Sequence, residues 1–155
     1  MTAPFPRRAV LAGFFCIAAM PALGQAGPLA SVSVDVSRLR ALGVGPAADL
    51  VESSLKDELG RLYAGRIGGR GPRLVVRITG LHITAFASGG SHRGSSSDSL
   101  DGEVLVLGAR GEVLARYPQL AAVPAFGSPT DPFSEPRRVE RVARAYAQWI
   151  SRKAL

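Results

Sequence analysis

Cysteine occurs once in the chain, at Cys16, and histidine only twice, at His82 and His92. A zinc site needs several converging ligands of these types, so the composition argues against one. With one cysteine there is no disulfide framework. No apolar run reaches the about 20 residues that a membrane-spanning helix requires. The phosphate-binding Walker pattern and the dinucleotide fingerprint are both missing. Gly68-Gly69-Arg70-Gly71 and Gly89-Gly90 share only composition with such loops, and neither leads into a helix. No spacing matches a calcium-binding hand. These absences remove most cofactor chemistry and leave a binding or accessory role as the leading reading.

What is present begins with an address. Met1 to Pro6 carries no acid, Arg7 and Arg8 follow, and Ala9 to Met20 forms an apolar core. Pro21 and small residues come next. The pattern is that of an export leader, with cleavage after Gly24 or, preferred here, after Ala26. The pair Arg7-Arg8 followed by Ala9, Val10 and Leu11 is open to two routes, general secretory or twin-arginine. Either delivers the chain to the periplasm or outside the cell. Phe14 and Phe15 precede Cys16, where a lipid-anchor signal would place a small residue. Cleavage would remove Cys16, so the expected mature chain has no thiol.

Residues 27–155 are then one domain, long enough for a core of its own. Without Arg7 and Arg8 the chain keeps 17 basic and 12 acidic residues, and 15 of the basic ones are arginine. Arginine favours phosphate and carboxylate partners. A GC-rich genome gives the same bias, and mixed signs on the surface do not call for nucleic acid.

The longest β-like run is Arg73 to Phe86. Leu74, Val76 and Ile78 alternate with Val75, Arg77 and Thr79, the period of a pleated strand. After Gly80 the apolar set changes phase to Leu81, Ile83 and Ala85. A phase change flips the buried face, and a glycine there predicts a bulge or bend. Beyond it the strand is expected to leave the core and carry a projecting arm.

Around this run, Leu29 to Leu39 alternates as a half-buried strand. Pro46 to Tyr63 has Val51, Leu55, Leu59 and Leu62 on one helical stripe. Residues 87–97 (ASGGSHRGSSS) predict a flexible loop. Strands are expected again from about Ser99 to Leu107 and from Val113 to Tyr117, where Pro118 should end the pattern. Leu120 to Phe133 reads as a surface loop. Ser134 onward is a helix, with Val139, Val142, Ala143, Tyr146, Trp149 and Ile150 at helical spacing.

The predicted fold is therefore α+β, in the order β-α-β-β-β-α. It is a two-layer sandwich with a four-stranded mixed sheet and two helices on one face. The strand order stays open. On LVVRITGLHI (Leu74 to Ile83), LDGEVLVLGARGEVLARYP (Leu100 to Pro118) and the closing helix, the chain resembles small exported bacterial envelope proteins of unknown function, many of them lipoproteins. That resemblance implies an envelope role, as an accessory subunit, and brings no catalytic residues. Cys16 departs from the lipoprotein pattern.

Candidate contacts follow from charge. Arg137, Arg141 and Arg144 lie four and three apart, on one side of a helix. They are candidate contacts for an anionic envelope surface or another envelope protein. His92 and Arg93 stand in the Gly/Ser loop as a candidate contact segment. Ser95, Ser96, Ser97 and Asp98 are near them, but a flexible segment cannot hold a catalytic triad in place. His82 falls opposite in parity to Leu81 and Ile83 and should face away from the core. Asp101 and Glu103 share a strand face, and Asp98 does not. No catalytic, cofactor-binding or metal-binding residue is assigned. A hydrolase-like enzyme and a lipid or small-molecule carrier are the alternatives to the accessory module.

Overall fold

The computed structural model describes residues 28–85, 96–128 and 130–153. The expected leader (residues 1–26), Cys16, His92, Arg93 and most of the Gly/Ser loop lie outside the described residues. Ser97, placed in that loop from sequence, already belongs to a strand.

Four strands make one sheet in sequential order: β1 (Ser31–Asp35), β2 (Arg73–His82), β3 (Ser97–Leu107) and β4 (Val113–Pro124). β1 pairs parallel with β2, and β2, β3 and β4 form an antiparallel meander. Parallel pairing needs a crossover, which the helical segment between β1 and β2 supplies. That segment holds a short helix, α1 (Ser37–Ala41), and a long one, α2 (Gly45–Leu62). The last helix, α3 (Ser134–Lys153), packs against α2, β3 and β4. The fold is the expected α+β sandwich, with a mixed sheet covered on one face.

The first strand is shorter than its alternating pattern predicts. Asp35 accepts hydrogen bonds from the backbone N–H and hydroxyl of Ser37, at 3.0 and 2.7 Å. This local turn competes with further pairing and starts α1. Val36, just before α1, and Leu39 within it then reach the core outside the strand.

Each helix buries one stripe. In α2 it is Ala48, Val51, Leu55 and Leu59. Leu62, expected in that stripe, is exposed, because Tyr63 at the helix end turns into the core instead. In α3 it is Val139, Val142, Ala143, Tyr146 and Ile150. Trp149, expected with them, lies at the stripe's edge and is 43% exposed. These side chains meet Leu74, Val76, Ile78, Leu100 and Val104 from the sheet.

The expected bulge is present, with a consequence the sequence reading reversed. Ile78 pairs with Gly102 and Gly80 with Asp101, so Thr79 is the extra residue. An inserted residue shifts side-chain parity by one. The apolar set shifts at the same point, so the two changes cancel. Leu81 lies opposite Leu100, and both Leu81 and Ile83 pack on the core. The strand beyond Gly80 is scaffold, not the start of an arm.

β4 also departs from expectation. It runs twelve residues, through Pro118 to Pro124, and includes much of what reads as a loop. Proline lacks a ladder donor, but an edge strand needs donors on one side only. Pro118 sits opposite Glu103 without interrupting the register. The β3–β4 turn is closed by Gly108 N–H to Glu112 O at 2.9 Å. Gly111 takes the left-handed conformation there, with φ of 88°.

Gly102 is required by close approach. A Cβ at this position would lie 2.3 Å from the Arg77 carbonyl oxygen and 2.7 Å from the Tyr146 hydroxyl. Its bareness leaves room for the Tyr146 hydroxyl against β3.

Candidate functional site

Three features stand out on this scaffold: a buried ion pair beneath a cleft, a charged open sheet face, and the outer side of α3.

The ion pair joins Arg138 of α3 to Asp98 of β3. Asp98 falls on the core-facing parity of its strand, with Leu100 and Val104. Arg138 falls one helical turn before Val142, at the border of the apolar stripe. It is only 2% exposed, although its place beside Arg137 and Arg141 in an arginine-rich helix reads from sequence as solvated. Arg138 Nε donates to Asp98 Oδ2 at 2.8 Å, and one NH2 group donates to Asp98 Oδ1. That group also donates to the Thr84 carbonyl at 2.7 Å. The Thr84 N–H donates to Asp98 Oδ1 at 3.1 Å, and the Thr84 hydroxyl to the Ser97 carbonyl at 2.7 Å. Burial alone would raise the Asp98 pKa. The Arg138 and Thr84 hydrogen bonds outweigh it and hold the carboxyl below its ordinary value. Such a fully used pair ties the end of β2, the start of β3 and α3 together.

Above it lies an open cleft of about 460 Å³, bordered by Ile83, Thr84, Ser128, Asp131, Ser134 and Glu135 among others. Two of its charges are already committed. Arg138 is held by Asp98, and Asp131 accepts from Arg137 at 3.0 Å.

The open sheet face carries an ion ladder across all four strands. Arg77 donates to Asp35 at 3.2 Å and to Glu103 at 3.0 Å. Arg116 donates to Glu103 at 2.9 Å. The register makes this possible: Asp35 is opposite Arg77, and Arg77 opposite Glu103. Asp101 and Glu103 share the outer parity, as expected. The same face of β4 presents Leu114, Arg116, Pro118, Leu120, Ala122 and Pro124, all exposed. Leu114 and Leu120 stand 59% and 53% exposed, which is high for leucine in a strand.

The three arginines picked from sequence share the outer side of α3. Their surroundings differ. Arg137 pairs with Asp131 and lies 5.8 Å from the Phe133 ring centre. Arg141 lies 5.7 Å from the Phe126 ring centre. Arg144 is 3.9 Å from Glu58, a buried carboxylate that also pairs with Arg61. Sequence spacing finds the arginines but not Phe126 and Phe133, which come from the connection before the helix.

His82 is exposed on β2, opposite Ser99, and it is not joined to the other features. Among the described residues no group of three or more His, Cys, Asp or Glu gathers to hold a metal. Among them, too, no helix is long and apolar enough to cross a membrane.

No family model and no curated protein sequence matches this chain. Solved structures share the fold. One is an uncharacterised protein, 14% identical, with a TM-score of 0.54 over 83% of this chain and 92% of that one. Another is PelC from Paraburkholderia phytofirmans, a dodecamer, 13% identical, with a TM-score of 0.51 over 84% and 91%. A minor lipoprotein from Acinetobacter baumannii is 16% identical, with a TM-score of 0.47 over 81% and 91%. At these identities the first two show a likeness of fold alone.

Proposed function

We propose that the protein is an exported accessory module of the bacterial envelope that acts by binding and not by catalysis. In this reading residues 1–26 are a leader, removed on export. The observation that carries the binding role is the outer row of β4. Leu114 and Leu120 are apolar and exposed on either side of Arg116, which joins the ion ladder of that face. An apolar pair framed by charges fits a docking surface, with the charges setting orientation. Pro118 and Pro124 make the β4 edge a poor template for an added strand, so docking on the face is favoured over strand addition.

Capture from a periplasmic extract tests this. The protein should retain a partner in stoichiometric amount, and the Leu114→Glu, Leu120→Glu variant should lose it. Equal capture by both would discard the face as the contact.

A second reading has the same face join copies of this chain. It is supported by the fold shared with PelC, which forms a dodecamer. Light scattering on the purified protein separates the readings. A mass of many protomers, lost in the same variant, favours self-assembly, and a monomer favours a different partner.

A further inference from the structure

Deepening the envelope reading, on which it rests, we infer that the outer side of α3 is a peripheral docking surface for an anionic phospholipid bilayer. Arg137, Arg141, Arg144, Gln148 and Arg152 follow at spacings of four, three, four and four, so they share one side, and all are exposed. The row itself holds no acid, although Glu140 flanks it beside Arg144, and Asp131 and Glu58 meet Arg137 and Arg144. Among the described residues, neither Arg141 nor Arg152 takes part in an ion pair. Twenty residues of helix span about 30 Å, so the charges are spread along a line and do not converge on a point. A line suits a surface better than a small anion.

Aromatic rings flank this row. Phe126 and Phe133 are each 63% exposed at one end, and Trp149 is 43% exposed at the other, with Lys153 Nζ 4.8 Å from its ring centre. Exposed rings with a cation close by belong at the lipid headgroup level, where the ring is apolar and the charge meets phosphate. A soluble acidic protein would satisfy the arginines, but it would leave these separated rings without a common apolar layer.

The test is co-sedimentation of protein purified from the compartment to which the cell delivers it. Vesicles of phosphatidylcholine alone are compared with an equal mixture of phosphatidylcholine and phosphatidylglycerol. Binding is expected only to the anionic vesicles, and to weaken with salt. Each arginine near such a surface gives roughly a fivefold gain in partitioning, so Arg141→Glu with Arg152→Glu should lower it by roughly 30-fold or more. Phe126→Ser should lower vesicle binding several-fold while leaving retention on a soluble polyanion such as heparin unchanged.

Absence from both pellets, or equal presence in both, overturns the inference without any variant. So does full vesicle binding by the double arginine variant, or by Phe126→Ser. The last result would mark a purely ionic contact, open to an acidic protein. Partner capture that depends on Leu114 is read separately. If it persists when vesicle binding fails, the accessory reading stands and only the lipid surface is lost.

Discussion

The guanidinium of Arg138 closes over the carboxylate of Asp98 from 40 residues away, and neither side chain reaches solvent. A buried pair of this kind is costly to break and cheap to replace. Arg138→Met alone leaves Asp98 in the core with only the Thr84 N–H to meet its charge, which should cost about 3–5 kcal/mol. Asp98→Val alone strands the guanidinium, with a similar loss. The double variant, Asp98→Val with Arg138→Met, should recover most of that stability. Urea unfolding of the four proteins gives the coupling directly. Additive losses in the double variant would show that the two groups are not a unit.

The same pair shapes the response to acid. The ordinary pKa of Asp98 is 3.8, and in the folded protein it is lowered: burial pushes it up, but Arg138 and the Thr84 N–H pull it further down. The unfolded chain therefore takes up this proton first as pH falls. The stabilisation is complete above about pH 4 and is lost as pH drops through the folded value. Asp35, held down chiefly by Ser37, and Glu52, held down chiefly by Lys56, act in the same direction. Urea midpoints measured downward from about pH 5 should fall steeply in the wild type. The slope should be shallower in the Asp98→Val, Arg138→Met protein, and an unchanged slope would remove Asp98 from the account.

Tyr146 and Gly102 make a second coupled pair, of a different kind. The Tyr146 hydroxyl is buried with no hydrogen-bond partner among the described residues, and burial raises its pKa. Replacing it by phenylalanine removes an unsatisfied group, so Tyr146→Phe should be neutral or stabilise by up to about 1 kcal/mol. Gly102→Ala should destabilise by about 1–3 kcal/mol or more, since the new methyl meets the Arg77 backbone as well as the Tyr146 hydroxyl. Adding Tyr146→Phe should rescue only part of it, because the backbone clash remains. Thermal melts of the three variants check this. Full rescue would mean the hydroxyl alone sets the limit.

The ladder on the open face should contribute little by itself. Glu103 meets Arg77 and Arg116, whose side chains are half-exposed, so water screens both pairs. Glu103→Gln is expected to cost less than about 1 kcal/mol, and less again at high salt. A larger, salt-independent loss would show that the ladder carries the sheet.

Much of this architecture was legible in the chain because period alone decides it. The alternation of Leu74, Val76 and Ile78 and the stripe of Val51, Leu55 and Leu59 each force one face inward. Pro118 misled because a proline ends a central strand but not an edge, and edge position depends on strand order. Asp98 could be read as lying off the face of Asp101 and Glu103, but Arg138 reads from sequence as one more solvated arginine of the helix, and only the register of β3 against α3 makes them partners. The three arginines of α3 could be read from spacing. Phe126 and Phe133 could not, since they reach the helix from a connection without period.

The bulge at Thr79 gives the sharpest test of how pattern and backbone agree. The apolar set changes phase at the residue where the ladder gains one, so Leu81 and Ile83 stay on the core side with Ile78. Deleting Thr79 removes the extra residue and one step of sequence parity together, so a regular ladder keeps Leu81 opposite Leu100 and leaves Leu81 and Ile83 on the core side. The deletion should therefore be tolerated, within about 1–2 kcal/mol of the wild type. Pairing that slipped by one residue instead would turn both side chains outward, at roughly 2–4 kcal/mol together, and would take Thr84 out of register with Asp98. A Thr79→Ala substitution keeps the residue count and should change stability by less than about 1 kcal/mol, since the side chain is exposed. Chemical unfolding of both variants checks this, with similar stabilities expected. A loss of several kcal/mol on deletion alone would mean that the bulge itself, and not the matched phase change, holds the two halves of β2 in place.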